Sequence, residues 1–542
     1  VGSGATTASS KTVTLASTSG LVVGMPVVGT GIAAGTTIAS IDSANQITLS
    51  QNATASNTNL TLGFNQGANA YTGILNDYTG ATVVNQGTLT LSTGVSGTTL
   101  IPGDLVINGG AVNFANTNIG QIPSPSNITI TGTGTFTLPN YSGTTTNTFA
   151  SLTLNGTGGN TAPIFSFGTP TGSSTVVLTA ANAITVVNDN LAATPTLSTG
   201  AAGLSVLNLS NNNPVIDVSG LSPEGLIINV PLNYTGTGGP ITKTGNGSLV
   251  FSGGTANILT NGLRISGGTV IFDNTAANAY GTGTITLDDG VTIMAGTAVR
   301  TISNAFTVNG GFTFGGNPNG GAPTVNNLVL NNTMTLSSGI AHTITVTSPL
   351  VTATISGKLT GGSGLVKAGA GTLLISNNTN DYGGSTTVSG GLLKLGAANV
   401  ITDTSGVVVA GSAVFDVAGF AETVGSLSGN GLITNSGGTV TLTIGADGTS
   451  TTFNGVLTNA SSALSLITTG AGIQAFTGLN SYQGKTTIQN GAISVTSLKN
   501  TSTASGLGAP TTASNGTVDL GSGALTGGLI YLGSGDSTNR VI

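Results

Sequence analysis

The stretch NDYGGSTTVSGGLLKL (residues 380–395) reads as two short strands hinged at a glycine pair. Side chains alternate across a strand, so Thr386 and Val388 share one face, and Leu393 and Leu395 share one face. Lys394, between the leucines, points the other way, toward solvent. Ser389-Gly390-Gly391 supplies the positive φ that a tight corner requires. Such a unit is apolar on one face and cannot bury that face alone; it needs a neighbour stacked on each side.

The same template recurs without gaps as NDYTGATVVNQGTLTL (residues 76–91) and NSYQGKTTIQNGAISV (residues 480–495). Tyr78, Tyr382 and Tyr482 align, as do Thr82, Thr386 and Thr486. The repeat predicts a buried core of Val84, Leu89, Leu91, Val388, Leu393, Leu395, Ile488 and Ile493, with corners at Gly87, Gly391 and Gly491. A preceding layer reads KTGNGSLVF (residues 243–251) and KAGAGTLLI (residues 367–375), with a weaker copy, TTGAGIQAF, at residues 468–476. Copies are unevenly spaced, so insertions are tolerated. Between Tyr141 and Gly239 the template fades, although runs such as TVVLTA, LSVLNLS and GLIINV keep strand character.

Composition agrees with an all-β chain. Among 542 residues there are 87 Gly, 10 Lys and Arg, 16 Asp and Glu, one His, no Cys and no Trp. Charged residues make up 5%, against roughly a quarter in an ordinary soluble domain. Thr, Val, Ile, Ser and Asn dominate, which favours strands and turns. No apolar run is long enough for a spanning helix. The net charge of −6 and the scattered basic residues give no footprint for nucleic acid, so no nucleic acid partner is expected. A single closed core stops growing at roughly 250–300 residues, so several domains or one elongated array are required. About twenty rungs at about 4.8 Å would make a rod near 100 Å. The absence of Cys suits either chance or a secreted chain. Residue 1 is Val and the chain stops mid-pattern at Val541-Ile542, as expected for a segment of something longer.

The stretch GLVKAGAGTLLISNNTNDYGGSTTVSGGLLKLG (residues 364–396) resembles the autotransporter-associated β-strand repeat, also called the passenger-associated transport repeat. The resemblance implies a right-handed parallel β-helix in a secreted or extracellular bacterial surface protein. That family's membrane barrel is not expected within these residues, which have only 8 Tyr and 15 Phe to supply aromatic girdles; either the barrel lies downstream, was removed, or the protein is exported another way. Residues 1–63 differ from the rest and resemble a small β-module found beside repeats in large bacterial surface proteins. The expected layout is a small β-domain or cap over 1–63, an irregular solenoid over 64–350 and a repeat-bearing solenoid over 351–542.

Chemistry is sparse. Glu224 and Glu422 are the only glutamates and lie in unrelated settings, so no catalytic residues are expected. Asp288-Asp289-Gly290 is an ordinary turn signature. His342, in SGIAHTITVTS (residues 338–348), is expected to face solvent. No cofactor or metal is expected; only a weak Ca²⁺ site at Asp288/Asp289 or Asp416 comes into question. Thr-x-Thr pairs such as TITVT (residues 343–347) suit solvent-facing strands, and their irregular spacing argues against ice binding. The reading is a structural extracellular protein: a stalk, an adhesin or a self-assembling fibre. Self-association is expected through the ends or the N-terminal module, with host or matrix glycans as further partners. The alternative is a glycan-binding or polysaccharide-cleaving β-helix.

Overall fold

A computed structural model describes residues 2–19, 21, 23–64, 78–156, 160–198, 205–316 and 327–542. The chain divides into two units, Val1–Leu75 and Asn76–Ile542. The division lies beyond the boundary expected at Gly63, because the strand Asn57–Phe64 runs through that glycine. Solenoid is expected on both sides of residue 350, and apolar stacking runs across it from Val346 to Val351, Ala353 and Ile355.

The first unit is a six-stranded antiparallel sheet. Its strands Thr12–Leu15 and Gln46–Leu49 alternate, placing Val13, Leu15, Ile47 and Leu49 in a small core with Val27, Ile38 and Leu62.

The second unit is a parallel β-solenoid. Among the described residues its main ladder has nineteen strands, from Thr88–Leu91 to Gly527–Tyr531, and each inner strand pairs in parallel with the rungs before and after it. At about 4.8 Å per step the ladder is about 85 Å long. A twelve-stranded ladder, Thr82–Val84 to Leu359–Thr360, forms a second face. Ladders of five and eight strands, beginning at Thr145–Phe149 and Arg300–Ile302, and another of five beginning at Glu422–Val424, complete the coil. A single rung visits Ile285–Leu287, Val291–Ala295 and Arg300–Ile302 in turn, one strand per face.

Alternation fixes the interior. Val440–Ile444 and Leu464–Thr468 each bury every second residue, with Val440 over Leu464 and Leu442 over Leu466. One continuous apolar core runs from Val84 to Val518. Within it Phe136 stacks on Phe165 of the next rung, ring centres 5.1 Å apart. The faded middle section forms full rungs as well, for example Ser174–Leu178, Asn182–Asn188 and Thr196–Ser198. Only alternation survives there, which is enough to bury Leu178, Ile184 and Leu197. Among the described residues the one helix is a single turn, Ala513–Gly516.

Candidate functional site

The repeat is a pair of rungs stacked in register. Thr372–Ile375 lies on Gly391–Leu395, with Leu373 over Leu393 and Ile375 over Leu395, while Leu365–Ala368 lies on Thr386–Val388. Ser248–Phe251 lies on Thr269–Phe272 in the same way, and Ile473–Phe476 on Gly491–Val495. The upper corner glycines Gly87, Gly268, Gly391 and Gly491 have φ of 74°, 67°, 62° and 66°. Closeness adds to conformation: a Cβ on Gly391 would sit 2.4 Å from the Gly369 carbonyl oxygen and 2.5 Å from that of Gly371.

Three polar devices recur in these rungs, and two of them join one rung to the next. Lys243 and Lys367 are fully buried. The Lys367 ammonium donates to the carbonyls of Ala368, Gly369 and Gly390 at 2.8, 2.9 and 2.9 Å. Lys243 repeats this on Thr244, Gly245 and Gly267 at 2.7, 2.9 and 3.0 Å. Each lysine thus stitches its own corner to the corner above. Burial pulls both ammonium groups down to about 8, which still leaves them charged at neutral pH. An asparagine amide forms the second device. Asn380 accepts from Leu359 N–H at 2.7 Å and donates to the Val400 carbonyl at 2.7 Å, so it spans three rungs. Asn480 does the same between Leu457 and Gly506, and Asn257 between Leu232 and Ala279. The third is a buried hydroxyl pair, Tyr382–Thr386 and Tyr482–Thr486, each at 2.7 Å. Tyr78 and Thr82 pair likewise, nearer the surface.

Most of the expected core positions are enclosed. Val388, Leu393, Leu395, Ile488 and Ile493 are fully buried, with Val84 and Leu91 nearly so. Leu89 differs: it is only half-buried against the core, in a strand whose one described ladder neighbour is Ala111–Phe114. Lys394 faces outward as read and lies 3.5 Å from Asp416. His342 does not face solvent as expected. It is buried, because it has the inward parity of Ile344 and Val346, and its Nε2 lies 2.8 Å from the Ser337 carbonyl.

The carboxylates serve the scaffold. Asp288 pairs with Arg264 at 2.7 Å and accepts from Asn309, while Asp289 accepts from Gly311 N–H. Asp416 accepts from Ala418 N–H and Ser436 N–H. Glu422 receives Val400 N–H and Ile401 N–H at 3.0 Å each, and its burial pushes the carboxyl up to about 8. No cluster of three or more metal-ligating side chains occurs among the described residues. Arg264, Arg300, Lys358, Lys394, Lys485 and Lys499 each pair with an aspartate from another rung. Arg540 is buried, donating to the carbonyls of Leu507 and Gly508 at 2.7 Å each. The basic residues that looked scattered are therefore mostly stitches. On the outside, an open groove is lined by Asn113, Phe114, Asn116, Thr117 and Asn140.

Residues 58–91, 241–271, 365–395 and 466–495 match the passenger-associated-transport-repeat family, so the chain carries this repeat four times. The matched segments at 241–271 and 365–395 coincide with the two-rung unit described above. The chain is also similar to the adhesin BmaC autotransporter of Brucella suis biovar 1 (strain 1330). The two are 25% identical over 524 residues, which cover 80% of this chain and 14% of that protein. The chain thus spans a small part of its relative's length. No solved structure matches it.

Proposed function

We propose that this chain is a stretch of the passenger of a secreted bacterial adhesin, presented on the cell surface as a β-solenoid. The observation that carries the reading is the two-rung staple, present in a chain similar to an autotransporter adhesin. A solenoid whose cations are spent on joining rungs is a scaffold for reach and presentation. Its outer strand positions are mostly Thr, Val, Ser and Asn, so contact with a host or matrix surface rests on neutral polar groups and shape. Fusing the chain to a translocator barrel in a non-adherent bacterium tests this. Adhesion to host cells or matrix should rise several-fold over the barrel alone, and equal adhesion would reject the adhesin reading.

The role is non-enzymatic in this reading. Glu422 is sealed beneath backbone amides, and the paired aspartates hold their own scaffold, which leaves them poorly placed for acid–base work on a polysaccharide. Glycan binding is the second reading, favoured by the open asparagine-lined groove. Retention of the chain by immobilised matrix glycans, lost on Asn116→Ala with Asn140→Ala, would support it. Self-association through the ends or the N-terminal module belongs to the same proposal, because a nearly uncharged surface offers little repulsion between copies. Sedimentation at increasing concentration should reveal oligomers; a strict monomer at high concentration would remove this part.

A further inference from the structure

The fourth repeat has the same corner but lacks its lysine. Thr468 stands at the position of Lys243 and Lys367 and, like them, is buried on the inward face of its strand. The backbone around it matches the other two corners closely. Gly470, Gly369 and Gly245 have φ of 75°, 76° and 75°. Gln489 N–H donates to the Thr468 carbonyl at 3.0 Å, as Ser389 N–H does to Lys367 at 2.8 Å and Ser266 N–H to Lys243 at 3.0 Å. The place of a Cβ on Gly491 lies 2.3 Å from the Gly472 oxygen and 2.6 Å from the Gly470 oxygen, and Gly268 and Gly391 meet the equivalent oxygens at 2.4–2.6 Å. The carbonyls of Thr469, Gly470 and Asn490 therefore hold the positions that receive the ammonium in the other two repeats. A threonine side chain is too short to bring a donor to all three. Its buried hydroxyl has no protein partner.

We propose that this corner binds a monovalent cation of ammonium size, potassium or ammonium itself, through those three carbonyls and the Thr468 hydroxyl. The two lysine corners demonstrate that the same arrangement of backbone oxygens accepts a full positive charge inside the solenoid. All four donors are neutral oxygens, which suits a large, weakly hydrated monovalent ion; calcium and magnesium are usually held with the help of carboxylates. The bound ion would do for the fourth repeat what the lysine ammonium does for the second and third, joining one corner to the next.

The test is thermal unfolding of the whole chain at fixed ionic strength, with potassium, ammonium, sodium or tetramethylammonium chloride. Potassium and ammonium should raise the melting temperature saturably, tetramethylammonium should not, and Thr468→Lys should abolish the dependence by supplying its own ammonium. Equal melting temperatures in all four salts, or an unchanged dependence in Thr468→Lys, would overturn the proposal. Should that variant not fold, crystals of the wild-type chain grown in rubidium chloride decide the matter. An anomalous peak beside Thr468 Oγ1 supports the site, whereas an ordered water there and no peak refutes it.

Discussion

Lys367 carries a full charge into the core and meets one carbonyl for each of its three N–H donors. Replacing it with Met keeps the stem and leaves three buried acceptors unpaired, which should cost about 2–4 kcal/mol in urea unfolding. Leu393→Ala should cost about 2–5 kcal/mol, whereas the outward Lys394→Ala should cost less than about 1 kcal/mol. Equal losses at 393 and 394 would mean that the facing is wrong. The buried ionisable groups also set a pH profile. Glu422 is raised from 4.5 to about 8, so the folded chain holds the extra proton and stability is lost as pH rises through that window. Lys243 and Lys367 are lowered from 10.5 to about 8, so the unfolded chain holds more protons above pH 8 and stability climbs toward 10.5. The urea midpoint should therefore pass through a minimum near pH 8. Lys367→Met should make the alkaline limb shallower, since Lys243 still contributes, Glu422→Gln should flatten the acid limb, and a profile without a minimum would contradict both assignments. The inward parity of these lysines was present in the sequence, since Lys367 alternates with Leu365 just as His342 alternates with Ile344. Residue type argued for solvent and parity argued for the interior; parity decides once every neighbouring rung enforces the same facing.

At the scale of the strand and its corner, position within the stack governs what a glycine does. Gly391 and Gly87 share a left-handed φ, yet a Cβ on Gly391 would strike the carbonyls of the rung below, whereas among the described residues nothing lies within 4 Å of one on Gly87. Gly87→Ala should thus cost only the left-handed penalty of about 1–2 kcal/mol. Gly391→Ala should cost clearly more, because the rung must also move. Matched thermal melts of the two variants compare them, and equal losses would deny the close stacking. The strand–corner–strand unit was readable from alternation and the glycine pair. What alternation could not supply was the partner of each strand. Nothing local in KAGAGTLLI states that Leu373 will lie over Leu393, since that pairing depends on the length of chain needed to complete one turn of the coil. Hence the second layer looked like a prefix to the template, when it is its lower half. The same dependence on turn length made the section after Tyr141 hard to read, although its described strands pair in parallel like the others.

Over the whole molecule, ten basic and sixteen acidic residues leave little long-range field, and six ion pairs among the described residues neutralise much of it locally. Adhesion by the displayed chain should accordingly change less than about twofold between about 0.05 and 0.5 M salt, since screening acts on charge. A steep loss of adhesion with salt would point to a charged partner and a surface patch not recognised in this fold. The fold rests on the stacking of the repeat's two halves, and the lack of native cysteine makes that stacking directly testable. Thr372 pairs with Leu392 on the outer side of adjacent rungs, whereas Lys394 lies two residues further along. Neighbouring parallel strands are about 4.8 Å apart, within disulfide reach, while a two-residue offset places the Cα atoms beyond about 7 Å. The measurement is the extent of disulfide formation under mild oxidation in two double variants, one with cysteines at 372 and 392 and the other at 372 and 394. The stacked repeat predicts ready closure of the first and little of the second; the reverse order, or equal closure, would contradict it.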